Sequence, residues 1–183
     1  MLFLSFSRQK KIFSHLHKVK WYYGRARPEE VVWEIVNGRT DGVPPDLLAL
    51  IEGNFATINS ATEFTAYPEG SPCHPSFPAM HAASSAASLW MAVVMDLTPE
   101  QHCLVKQLDY AIAYARTVAG VHYPTDNIVG LQIGQEILAE LLPGHLEYKY
   151  GADKEKVKEK IERVRFDWNE YEEGDCSLLS VSV

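Results

Sequence analysis

The chain has 183 residues, 46% of them hydrophobic and 22% charged, with a formal net charge of -7 at pH 7. That length fits one domain with a sizeable core, and the composition is that of a globular protein, not a disordered or fibrous one. The acidic balance excludes a general nucleic-acid surface, and no window reaches the roughly 18 uninterrupted apolar residues of a membrane span.

In chain order, the opening Met1-Leu-Phe-Leu-Ser-Phe-Ser7 is apolar but lacks a basic leader, a full apolar core and a cleavage site, so it reads as a helix start or frayed end. A basic helix is predicted over residues 9–23. Pro28, at a first-turn position, opens another helix through Val36, ended by Asn37-Gly38. Asp41-Gly-Val-Pro-Pro45 is a turn, followed by a short helix over residues 47–51. Residues 57–75 form the longest irregular stretch, and long loops are often functional.

Pro78 is expected to start a helix whose core stripe is Trp90, Val93, Val94 and Leu97. Thr98-Pro-Glu-Gln101 is a capping-box start for the next helix, with Leu104, Leu108 and Ile112 inward and a stop near Gly120. Pro124 opens a further helix that runs to Leu142, before Pro143-Gly144. Residues 154–165 are dense in charge, with Glu155, Lys158 and Glu162 able to pair along a solvated helix face. Residues 175–183 read as a loose tail. These elements make an all-α helical bundle: a single site-bearing domain over residues 1–150, then a charged helix and tail over 151–183. There is no internal repeat.

Cys73, Cys103 and Cys176 are unevenly placed and lack metal-ligand spacing, so neither a disulfide framework nor a zinc site is indicated. A reduced, cytoplasmic setting is compatible with them and is slightly favoured for a soluble chain without a clear signal peptide.

Three segments carry chemistry: Lys20-Trp-Tyr-Tyr-Gly-Arg-Ala-Arg27-Pro28, Pro75-Ser-Phe-Pro-Ala-Met-His81, and Ala115-Arg-Thr-Val-Ala-Gly-Val-His122-Tyr-Pro-Thr-Asp126. They supply Lys20, Arg27, His81, Arg116 and His122. Arginine forks bind oxyanions in bidentate fashion, lysine adds a point charge, and a histidine can attack phosphorus or ligate a metal. With Pro78 in a first helical turn, the free N–H groups near Ala79, Met80 and His81 would face an anion beyond the helix end. Asp126 lies four residues after His122, within reach to orient its imidazole. His74 serves either the site or the bracing of its proline-rich loop. His15, His17, His102 and His145 read as structural, and Trp90 and Met91 as core.

In these segments the chain resembles the superfamily that joins vanadium-dependent haloperoxidases to type 2 phosphatidic acid phosphatases. The resemblance runs from about Lys20 to about Gly130, and Lys20-Trp21, Arg27-Pro28-Glu29 and His74-Pro-Ser-Phe-Pro look most like the algal and cyanobacterial bromoperoxidases. It implies a haloperoxidase- or acid phosphatase-like four-helix core. It also implies vanadate held by Lys20, Arg27 and Arg116, with His122 as the metal ligand, His81 as the acid-base residue and His74 near the halide. The implied reaction oxidises halide, bromide foremost, with hydrogen peroxide polarised by Lys20, and passes the product to a small organic substrate.

The same set implies an acid phosphatase in the alternative, with phosphate in the pocket, His122 as nucleophile through a phosphohistidine, and His81 protonating the leaving alcohol. Where the family pattern reads Pro-Ser-Gly-His, this chain reads Pro78-Ala79-Met80-His81. The lost serine removes a hydrogen bond to a charged group, typically worth about 1.5–3 kcal/mol. Only the backbone N–H remains to serve the anion at Met80. A catalytically degenerate fragment is the third reading. Full-length bromoperoxidases resemble a pair of helical bundles, so this chain corresponds to the half that bears the site. Large members assemble through helical faces, which leaves a homo-oligomer open.

Overall fold

The structure is a computed structural model that describes residues 16–55, 58–66 and 71–171. Among these residues it is all α, with no strand. Residues 16–23 form α1. There follow α2 (Pro28–Val36), α3 (Pro45–Phe55), a 3-10 turn (Ala61–Phe64), α4 (Met80–Ser85), α5 (Ala87–Val94), α6 (Pro99–Val118), α7 (Pro124–Tyr150) and α8 (Lys154–Val164). No described helix is long and apolar enough to cross a membrane. The expected tail over residues 175–183 and the first part of the basic helix lie outside the described residues.

Three apolar clusters organise the bundle. Val32, Ile35 and Ile51 join α2 to α3. Ala79, Ala82, Ala113, Leu131 and Trp168 form the centre between α4, α6 and α7. Leu89, Val93, Leu142, Leu146 and Ile161 lock α5 and α8 onto the second half of α7. Small residues let α4 and α7 touch backbone to backbone. A methyl group added at Gly130 would run into the Ala79 carbonyl oxygen, and one at Gly134 into that of Ala83. The site is therefore built on a seam where two main chains meet.

Several elements depart from the sequence expectations. The helix expected from Pro78 starts two residues later and is split. Ala79 is extended (φ -74°, ψ 115°), and its N–H is drawn to the Asp126 carbonyl at 2.9 Å, which commits it to α7 before the helix begins. At Ala86 the chain breaks again. The buried Asp109 carboxylate accepts from the Ala87 and Ser88 N–H groups at 3.0 and 2.9 Å, capping α5 in place of a continuing helix ladder. The break shifts the helical phase, so Val94 is exposed and α5 ends before Leu97.

The same aspartate decides which face of α6 points inward. Burying Asp109 together with Cys103 and Ala113 turns Leu104, Leu108 and Ile112 outward, where they are 64%, 54% and 38% exposed. The helix predicted to stop at Leu142 continues through Pro143 to Tyr150. Burial of Leu142 and Leu146 in the third cluster, with Pro143 buried between them, outweighs the proline's lost hydrogen bond, and left-handed Gly151 (φ 66°) ends the helix. The charged helix α8 is not solvated all round: Ile161 is 2% exposed, and Trp168 beyond it is 1% exposed. Cys73 is a free, exposed thiol, but Cys103 is buried and disulfide-bonded, where no disulfide was expected.

Candidate functional site

The α6–α7 connection sets the centre. α6 ends at Val118, and Gly120 takes a left-handed turn (φ 74°) that returns the His122 N–H to the Arg116 carbonyl. Pro124 then opens α7, and its first turn lifts Asp126 beneath the His122 ring. The Asp126 Oδ2 atom lies 3.2 Å from His122 Nδ1 and accepts the Tyr123 N–H at 3.1 Å. The Ser76 hydroxyl donates to the same oxygen, and Arg25 donates to Oδ1 at 2.6 Å.

Burial alone would raise the Asp126 pKa, but donation from His122, Ser76, Arg25 and the Tyr123 N–H outweighs it and holds the carboxyl at about 2. An ionised carboxylate only accepts, so His122 Nδ1 carries the proton and Nε2 presents a lone pair. Burial, with Arg27 and Lys20 nearby, lowers the His122 pKa to about 4 even though Asp126 opposes the shift, so the ring is neutral at pH 7. A carboxylate, an imidazole and an open second nitrogen form the arrangement found behind ligand and nucleophilic histidines.

Arg27 approaches that nitrogen from the other side. Its Nη1 atom is 3.5 Å from His122 Nε2, and the guanidinium is fixed by donation to the Val121 carbonyl (2.8 Å) and the His74 carbonyl (3.0 Å), with its Nη2 atom 3.2 Å from His74 Nδ1. Its position before α2 is set by the Glu30 carboxylate, which accepts the Arg27 N–H at 2.7 Å. Together with Arg116, Arg27 lines a cavity of about 220 Å³ whose remaining wall includes His17, His74, Met80, His81 and His122. Partial burial of the ring in the cavity wall, then Arg116, Arg27 and Lys20, lower the His81 pKa.

The structure thus gathers Arg27, His74, Met80, His81, Arg116 and His122 around one cavity. Lys20 and Asp126 stand behind its wall. The Lys20 ammonium is fully buried and donates to the Pro75 and Ser76 carbonyls, both at 2.9 Å, while burial lowers its pKa to about 8. Ala79 is also closed off, with no exposed surface, inside the central apolar cluster. The expected helix-end anion seat is reduced accordingly. α4 is six residues long, and the Ala79 N–H is already engaged, so positive charge in the cavity comes from side chains.

Sequence reasoning missed three residues. Ser76 and Arg25 complete the Asp126 network, and His17 packs edge-on against His74 with ring centroids 5.3 Å apart. Ser76 and Arg25 sit inside the two motif segments already singled out, so the signal was position in the motif; nothing marked His17.

A family model described as the PAP2 superfamily matches residues 10–143, a span that holds every residue of this cavity and its support. The chain belongs to the PAP2 superfamily. No curated protein and no solved structure matches it. Members of the PAP2 superfamily are usually phosphatases or haloperoxidases. In this chain a neutral, carboxylate-braced histidine shares its cavity with two arginines, side chains whose chemistry suits an anion.

Proposed function

We propose that this protein is a vanadate-dependent haloperoxidase, oxidising halide, bromide foremost, with hydrogen peroxide. The observation that carries the reading is the pairing of His122 Nδ1 with Asp126 at 3.2 Å, which leaves Nε2 open beside Arg27. These residues fit vanadate. One nitrogen lone pair serves as the ligand, two arginines balance the oxygens, and about 220 Å³ suits a small anion better than the roughly 300–1,000 Å³ typical of organic-ligand sites.

When bound, vanadate supplies Lewis-acid activation of hydrogen peroxide toward two-electron oxidation of halide. The chain's own residues do the rest. Arg27 and Arg116 hold the negative charge, and Asp126 keeps His122 in one tautomer. His81, which lines the same cavity, would take up and give back a proton as peroxide binds and reacts. Lys20 holds the Pro75–Ser76 backbone, and we assign it that positioning role in place of direct polarisation of peroxide.

The second reading is an acid phosphatase. The His122–Asp126 pair suits a nucleophile equally well, attacking phosphorus to give a phosphohistidine. What ranks this reading second is the likeness of Lys20-Trp21, Arg27-Pro28-Glu29 and His74-Pro-Ser-Phe-Pro to the bromoperoxidases.

The deciding experiment measures bromination of a reporter by the purified protein with peroxide and bromide, with and without orthovanadate, beside hydrolysis of a phosphate monoester. We expect vanadate-dependent bromination that disappears in His122→Ala. Ester hydrolysis without bromination would replace the first reading by the second, and neither activity would leave a catalytically degenerate member.

A further inference from the structure

We propose that Met80 is a modification site of this protein: its thioether is converted to the sulfoxide by peroxide held in the cavity. The inference rests on the haloperoxidase reading above and adds a substrate within the chain. Met80 lines the same cavity as Arg27, Arg116, His81 and His122, and it adjoins His81 in the first turn of α4. A cavity that collects peroxide against an oxyanion therefore has a soft, two-electron-oxidisable sulfur in its wall, at a position where the family pattern carries glycine.

The step balances. The sulfur lone pair attacks the nearer peroxide oxygen, a sulfur–oxygen bond forms and the oxygen–oxygen bond breaks. The far oxygen leaves as water, carrying the proton from the transferred oxygen. Sulfur loses two electrons and peroxide gains two. The product is a polar, chiral sulfoxide in the wall, which narrows the space for the anion and its oxidant, so oxidation of Met80 limits the working life of the site until a sulfoxide reductase reverses it.

Exposure predicts a different order of damage, which makes the idea testable. Met95 is 47% exposed at the end of α5 and does not line the cavity, whereas Met80 is half-buried. Peroxide acting from bulk solvent oxidises Met95 first.

The experiment treats the purified full chain with orthovanadate and hydrogen peroxide, bromide omitted so that no diffusible hypohalous acid forms. Sulfoxide at Met80, Met91 and Met95 is followed by peptide mass spectrometry. We expect Met80 to oxidise about ten-fold faster than Met95, and this preference to vanish without vanadate and in His122→Ala. The wild-type ratio alone decides the matter if His122→Ala fails to fold. Oxidation of Met95 ahead of Met80, or a Met80 rate indifferent to vanadate, overturns the inference. A parallel bromination assay separates the two claims: turnover with Met80 intact removes this inference alone, while absence of both turnover and selective oxidation removes both.

Discussion

The two walls of the cavity are built to different standards. On one side His122 is 4% exposed, its ring is fixed by Asp126, and that carboxylate is in turn held by Ser76, Arg25 and the Tyr123 N–H. On the other side His81 is exposed on a six-residue helix, preceded by Ala79 and Met80. The nitrogen that would meet the oxyanion is over-determined, whereas the group that would move protons is loosely held. On the function proposed above, the difference implies that binding and turnover should be separable by substitution.

Substitutions should separate them. His122→Ala is expected to have the largest effect, removing both orthovanadate binding, measured by calorimetry, and turnover, down to background. His81→Gln should cost about 10²–10⁴-fold in turnover while orthovanadate affinity stays near that of the wild type. Loss of affinity of the same order would show that His81 belongs to the binding wall after all.

Asp126→Asn should cost about 10–100-fold in anion affinity, because an amide can no longer fix the His122 tautomer. An unchanged affinity would mean that Arg27 and Arg116 alone hold the anion.

Acid should weaken the buried wall first. The His122 pKa falls from its ordinary 6.5 to about 4 on folding, so the unfolded chain binds more protons between these values. Its contribution to stability is complete above pH 6.5 and is lost as the pH falls toward 4. Asp126, held at about 2 against an ordinary 3.8, has the same sign and acts in the next window down. The thermal midpoint should therefore drop between pH 6.5 and 4 and again below it; a flat profile in the upper window would contradict the buried neutral ring.

The smallest effect concerns the missing serine. Ala79 is sealed in the central cluster, so Ala79→Ser buries a hydroxyl at a cost of about 1–3 kcal/mol and does not strengthen anion binding. Calorimetry showing tighter binding would mean that the cluster yields to let the hydroxyl reach the cavity.

Which of these features the sequence revealed depends on distance along the chain. Arg116, His122 and Asp126 are brought together by one turn and one proline, and their spacing alone announced the arrangement. Lys20 reads as an anion contact, and its spacing gave no hint that its ammonium also donates to the carbonyls of Pro75 and Ser76, more than fifty residues away. The inward face of α6 was misread for a related reason. Leu104, Leu108 and Ile112 make a good helical stripe, but a break in another helix needed a carboxylate, and the burial of Asp109 turned that stripe to solvent. Trp168, which lies between the charged helix and the expected tail and carries no signal of its own, packs against Ala79, Ala82 and Leu131. Local spacing was legible; needs created by one element and met by another were not.

Gly130 and Gly134 leave α4 resting on α7 with no side chain between them, so the distance from Met80 and His81 to His122 is a backbone dimension. Lining side chains can be exchanged without altering it. Residue size at those two glycines acts as a spacer presently set at zero, so any side chain there would force the two main chains apart and change the width of the cavity without touching a residue that lines it.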